Sequence, residues 1–304
     1  MVIELSNLTF TEQDDIVPVS GVAQILNTEV ANTLAGDDRI TGSGTGDDDY
    51  GFKNVGVLNT DDGNDTITGI ANIYFGSFGY GIFNSGTLNM AEGNDIITGT
   101  STDDAIINYG TLNAGEGNDT ITGTGGSDGL NNYGTLNTDE GNDIISGTGS
   151  SHGLNNYNTL NTGEGNDIIT ATMTSHYYDS ALYNSGSIHT SDGNDIIAGI
   201  GRSIGILNVG IINSGNGEDS IISQGNLINR GEVFLGDSND LISVDRYYAP
   251  YYDVVENFNF IGTGDGNDTI TSTGIIHNQG VIETGNGDDS GASHFCECVT
   301  KELK

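Results

Sequence analysis

The chain has 304 residues, with 43 acidic against seven basic side chains, a formal charge of −36, 48 glycines, two prolines and two cysteines. That charge excludes nucleic acid as a partner and disfavours anionic membranes unless a cation bridges them. Two cysteines make no disulfide framework, and no apolar run is long enough to span a bilayer.

Residues 1–23 lack the repeat described below and are expected to cap the first coil, whose open strand edge otherwise invites aggregation. They show no basic start followed by an apolar run, so no secretory signal is evident. From residue 24 to 289 a twelve-residue unit recurs eleven times. It opens on Asn27, Asn54, Asn84, Asn108, Asn132, Asn156, Asn184, Asn208, Asn229, Asn257 and Asn278. It closes on Asp38, Asp65, Asp95, Asp119, Asp143, Asp167, Asp195, Asp219, Asp240, Asp268 and Asp289. Units follow one another at intervals of 21 to 30 residues, most often 24. A repeat of this length marks a solenoid, in which a column in the sequence becomes a file in space.

Three apolar columns accompany the polar pair: two residues before each Asn, four after it, and two after each Asp, as in Leu130, Leu136 and Ile145. Their neighbours are mostly Thr, Ser, Asn or Gly, so the local period is two, that of a half-buried strand. The expected fold is all-β: a right-handed parallel β-helix of about eleven coils, with three short strands per coil and glycine corners. The stretch from Asp to the next strand is the one that varies in length, so insertions leave from one corner. Three of them are aromatic, carrying Tyr74, Phe75, Phe78 and Tyr80, then Tyr177 and Tyr178, then Tyr247, Tyr248, Tyr251 and Tyr252. These tyrosines are candidate ligand loops, since a tyrosine ring offers an apolar face and a polar tip to a sugar.

The Asn column reads as structural. Asn tolerates the left-handed conformation of a tight corner, and stacked amides bond along a file. A weaker second file (Asn59, Asn89, Asn113, Asn137, Asn161, Asn213) reads the same way. The Asp column is harder to satisfy. Two carboxylates about 4.8 Å apart repel by roughly 0.9 kcal/mol in water and about 3.5 kcal/mol at an effective dielectric of 20. Eight coils add an acid three residues earlier, among them Asp62, Glu92, Glu116, Glu140, Glu164, Asp192, Asp237 and Asp265. Seven basic residues cannot neutralise this, whereas a hard divalent cation with oxygen ligands can, calcium foremost. The alternative is that each Asp caps backbone N–H groups in its turn and the repulsion is tolerated.

The stretches AGEGNDTIT (114–122), TGEGNDIIT (162–170) and TGDGNDTIT (263–271) resemble the glycine-rich nonapeptide of RTX, or haemolysin-type, calcium-binding proteins. The resemblance implies calcium between stacked turns, bridged by Asp38 through Asp289 and by carbonyls near Gly117, Gly141 and Gly165. The first consensus glycine is absent throughout, and the glycine two before the Asp is replaced once, by Ser238. One half-site per coil implies a single file of about ten ions at most, and the resemblance implies export to the cell surface or beyond.

The last segment, residues 290–304, holds Cys296 and Cys298 and reads as a tail or short cap with free thiols. An enzyme acting on polysaccharide is the first rival function, but Arg39, Lys53, Arg202, Arg230, Arg246, Lys301 and Lys304 are scattered and no histidine pairs with a nucleophile. Ice binding is the second, on a Thr-x-Asn face at Thr87/Asn89, Thr111/Asn113, Thr135/Asn137 and Thr159/Asn161 that breaks at Ser187/His189. The expectation is a non-enzymatic, calcium-binding extracellular or cell-surface rod. Its role is structural or adhesive, with a surface glycan or another cell-surface protein as partner.

Overall fold

Strict alternation of small polar and branched apolar residues builds strands, and the 24-residue period stacks them in register. The computed structural model describes residues 1–18, 23–45, 50–72, 78–175, 179–245, 253–291 and 295–297. It is a parallel β-solenoid of about eleven coils. A representative coil runs through a long strand (Thr120–Gly125), a strand that ends on the repeat asparagine (Asp128–Asn132) and a short strand (Thr135–Asn137). Long and Asn-ending strands of successive coils form one 23-stranded sheet, and the short strands form an 11-stranded sheet. Pairing joins equivalent residues: Ile97 to Ile121 to Ile145, Leu130 to Leu154, and Leu112 to Leu136 to Leu160.

The three apolar columns meet in the interior. Ile121, Leu130 and Leu136 are fully buried, as are their equivalents along most of the rod. Each such side chain contributes about 1.5–3 kcal/mol relative to leaving it exposed. The long and Asn-ending strands converge at their shared corner. A Cβ on Gly123 would lie 2.1 Å from the carbonyl oxygen of Gly129, so a residue without a side chain is needed there. Longer connections leave from this same corner, between Ala71 and Tyr80, between Met173 and Ser180, and between Asp245 and Asp253. In two coils the strands on either side of it merge, as Ile196–Asn208 and Ser220–Asn229.

At the N-terminal end Val2–Glu4 pairs with Gln24–Leu26, Ile16–Val17 pairs with Arg39–Ile40, and Leu5 is fully buried. These residues form an incomplete coil beneath the first. At the other end Phe295–Glu297 pairs with Ile276–Asn278, which places the Cys296 backbone in the sheet. Cys298 lies outside the described residues.

Ser238 occupies the turn position where the other ten coils have glycine and holds φ at +124°, a region that costs an L-residue about 1–3 kcal/mol. Ser238→Gly is therefore expected to stabilise the protein by about 1 kcal/mol, measured as a higher midpoint in thermal or urea unfolding. An unchanged or lower midpoint would contradict strain at this corner.

Candidate metal centre

The turn that carries each repeat aspartate is built from two unusual backbone positions. In the turn 138–143, Asp139 is left-handed (φ +57°) and Gly141 has φ +155°. A Cβ on Gly141 would lie 1.5 Å from the carbonyl oxygen of Gly117 in the preceding coil, so stacked turns touch through their backbones. The position four before the Asp is left-handed even without glycine, at Leu34, Asp61, Ala91, Asp139 and Ser191. This tight turn aims the aspartate side chain inward. Asp38 through Asp268 are 0–2 % exposed.

One oxygen of each aspartate is fully used. Oδ1 of Asp143 accepts from the backbone N–H of Asp119 at 2.8 Å, and Oδ1 of Asp167 accepts from the N–H of Asp143 at 2.8 Å. The series starts with the N–H of Asp15 on Asp38 and ends with that of Asp268 on Asp289, at distances of 2.6–3.0 Å. The capping interaction thus exists, but it runs between coils and not within a turn.

The second oxygen is the anomaly. Oδ2 of Asp38, Asp65, Asp95, Asp119, Asp143, Asp167, Asp195, Asp219 and Asp240 is buried without a hydrogen-bond partner. Hydroxyls lie near several of them, yet Thr138 donates to the carbonyl of Thr162 (3.2 Å) and Thr190 to that of Ser214 (3.3 Å). At the end of the file the pattern changes, because Thr263 donates its hydroxyl proton to Oδ2 of Asp268. Each unsatisfied buried acceptor costs about 1–3 kcal/mol. Burial, reinforced at several positions by neighbouring aspartates, pushes these carboxyls up: Asp95 to about 8, Asp119, Asp143, Asp195 and Asp240 to about 7, and Asp65, Asp167 and Asp219 to about 6.

The second acidic column does not join this file. Asp62, Glu92, Glu116, Glu140, Glu164, Asp192, Asp237 and Asp265 are all exposed on the outer surface of the turns. The repeat asparagines do form a continuous file. Nδ2 of each donates to Oδ1 of the next from Asn27 to Asn278, at 2.8–2.9 Å. Its second proton goes to a short-strand carbonyl, as from Asn108 to Thr135 at 2.8 Å. In the short strands, Asn32, Asn59, Asn89, Asn113 and Asn137 form another such file, at 2.7–3.0 Å, and Asn161 follows Asn137 in backbone register. Those amides are spent on one another. Asn213 is outside it, because His189 pairs with Asn161 in the intervening coil.

Of the aromatic loops, Tyr74, Phe75, Tyr177, Tyr178, Tyr247, Tyr248, Tyr251 and Tyr252 lie outside the described residues. Phe78 is exposed, whereas Tyr80 belongs to the strand Tyr80–Asn84 and packs against Tyr50. A different aromatic row escaped the sequence reading. Tyr109, Tyr133 and Tyr157, each the residue after a repeat asparagine, stack at 4.7 and 4.5 Å with nearly parallel rings. Beside them, Asp128 accepts from the N–H of His152, lies 3.2 Å from its Nδ1, and accepts from Asn131. The signal was the recurrence of Tyr directly after Asn in three successive coils.

No protein-family model matches the chain, and no curated protein matches it. Among solved structures it is similar to that of a hyperactive, Ca2+-dependent, β-helical antifreeze protein from an Antarctic bacterium. The two share 21% identity over 93% of this chain and 83% of that one, with a TM-score of 0.45. At that level the likeness bears on neither the site nor the function, and the solenoid rests on the strand pairing above. Among the described residues no helix is long and apolar enough to cross a membrane.

A carboxyl whose folded pKa lies above its unfolded value favours the fold in its protonated form. That stability is complete below about pH 4 and is lost as pH rises through the folded values near 6, 7 and 8. In chelator, the melting temperature is therefore expected to fall steadily between pH 4 and pH 8. A melting temperature that rises over this range would contradict the buried-carboxyl description.

Proposed function

We propose that the chain is a calcium-loaded structural rod, acting outside the cell or at its surface, where calcium is plentiful. The observation that supports this reading is the file of nine buried, partnerless Oδ2 atoms. At neutral pH such a file requires protons or a cation, and the chain's seven basic residues leave it unneutralised. Calcium suits the donors, which are hard oxygens, because it accepts irregular coordination geometry. Among the described residues no three acidic, His or Cys groups converge on one point. Each ion would therefore draw on aspartates of adjacent coils and complete its shell with turn carbonyls such as those near Gly117, Gly141 and Gly165. Bound calcium supplies the positive charge that lets these carboxylates stay ionised inside the rod.

The file also sets the count. Nine stacked Oδ2 atoms from Asp38 to Asp240 leave eight gaps between coils, while Asp268 is already satisfied by Thr263. About eight ions follow, fewer than the ten that eleven aspartates suggest. The adhesive part of the proposal, toward a surface glycan or another cell-surface protein, rests on the tyrosine loops around 177–178 and 247–252. No catalytic activity is proposed, and the Thr/Asn strands are assigned to holding the sheet together.

Thermal melts in chelator, in calcium and in magnesium test this directly. Calcium is expected to raise the melting temperature strongly at pH 7–8, magnesium much less, with equilibrium titration approaching eight ions per chain. Asp143→Asn supplies the mutational arm. It keeps an acceptor for the Asp119 N–H but removes the buried charge. The variant should melt higher than the parent in chelator, by the equivalent of about 1–3 kcal/mol, and gain less from calcium. Equal melting of the parent with and without calcium would sink the proposal.

A further inference from the structure

On the long strands, the first, third and fifth residues point away from the core. Seven consecutive coils, from Thr66 to Gln224, align these positions in register on one sheet face. None of the residues there is charged: they are threonines and isoleucines with a few Ser, Ala and Gln. Charge returns at the two ends of the face, at Arg39 and Asp245. On a chain with a net charge of −36 an uncharged face of this extent is a distinct surface. It is also partly apolar, with Ile96, Ile144 and Ile168 exposed by 43, 42 and 36 %. The border at the start of these strands is acidic, because Glu92, Glu116, Glu140 and Glu164 sit exposed in the turns that lead into them, while the exposed Arg202 follows Ile200 at the opposite border.

We propose that two copies of the chain pack against each other through this face, sheet on sheet, as a two-fold dimer. Such an interface uses the same patch on both subunits, so it must be self-complementary. A field of Thr and Ile meets that condition: methyl groups pack on methyl groups, and each hydroxyl both donates and accepts. A cationic partner would instead be drawn to the acidic border. The size is sufficient. Seven coils at about 4.8 Å and five-residue strands of about 17 Å give a face on the order of 500 Å². Two such faces bury about 1,000 Å² together, the lower bound for a specific interface. Packing two sheets places the acidic borders of both copies near one another, so salt and calcium, which screen them, strengthen the dimer.

Sedimentation equilibrium on the full chain in calcium, at low and high salt, tests the proposal. The parent is expected to show twice the chain mass, with tighter association at high salt. Thr122→Glu and Thr170→Glu place like charges on the face and should each weaken association by ~tenfold or more. Thr135→Glu, on the short-strand face, should leave it unchanged. Melting temperatures confirm that each variant is folded. A parent that stays monomeric at its highest soluble concentration overturns the proposal. So does a dimer that Thr122→Glu and Thr170→Glu leave intact.

Discussion

Everything in this rod follows from stacking identical residues in register one strand spacing apart, about 4.8 Å. Each coil faces a near copy of itself, so every side chain must tolerate its own kind as a neighbour. Apolar residues do this at no cost, and Ile121, Leu130 and Leu136 with their equivalents make the core. The rule also explains the turns, where a side chain on Gly141 would strike the backbone of Gly117, and one on Gly117 that of Gly93.

The two polar files show how differently an amide and a carboxylate meet that demand. An amide donates and accepts, so Asn27 through Asn278 satisfy one another and have a spare proton for the short strand. A carboxylate only accepts. Each repeat aspartate takes a backbone N–H from the coil before it on Oδ1, and nothing remains for Oδ2. Asp268 shows what a local remedy looks like, with the Thr263 hydroxyl turned onto it. Along the rest of the file Thr33, Thr60, Thr138, Thr190 and Ser214 turn their hydroxyls to carbonyls, Thr162 is buried with its hydroxyl unpaired, and Met90, Ala114 and Leu235 stand at that position beside Asp95, Asp119 and Asp240. The partner has to come from solution as a proton or a cation, and that ties the fold to its medium.

Much of this was legible in the sequence, because solenoids project spatial files onto fixed spacing. The strand alternation, the coil count, the corner from which insertions leave and the self-bonding of asparagine all follow from periodicity and side-chain chemistry. What spacing does not encode is direction. The sequence offered cation binding and N–H capping as alternatives for the aspartates. In the fold Oδ1 caps, and it does so across coils, which leaves the cation question to Oδ2 alone. The column of acids at Glu116 and its equivalents shares the period of the aspartates yet faces outward, since a shift of three residues in a tight turn reverses the side chain. The tyrosine stack at 109, 133 and 157 and the uncharged long-strand face were present as columns too. They became visible as surfaces only once neighbouring coils were laid side by side.

Cations are proposed to occupy the aspartate file. Anomalous diffraction from crystals grown in calcium, or soaked with a lanthanide in its place, tests it most directly. A row of peaks along the rod is expected, one per gap between Asp38 and Asp240, each beside an Oδ2 atom. Peaks confined to the exposed acids, with none along the buried file, would contradict it and leave the aspartates protonated.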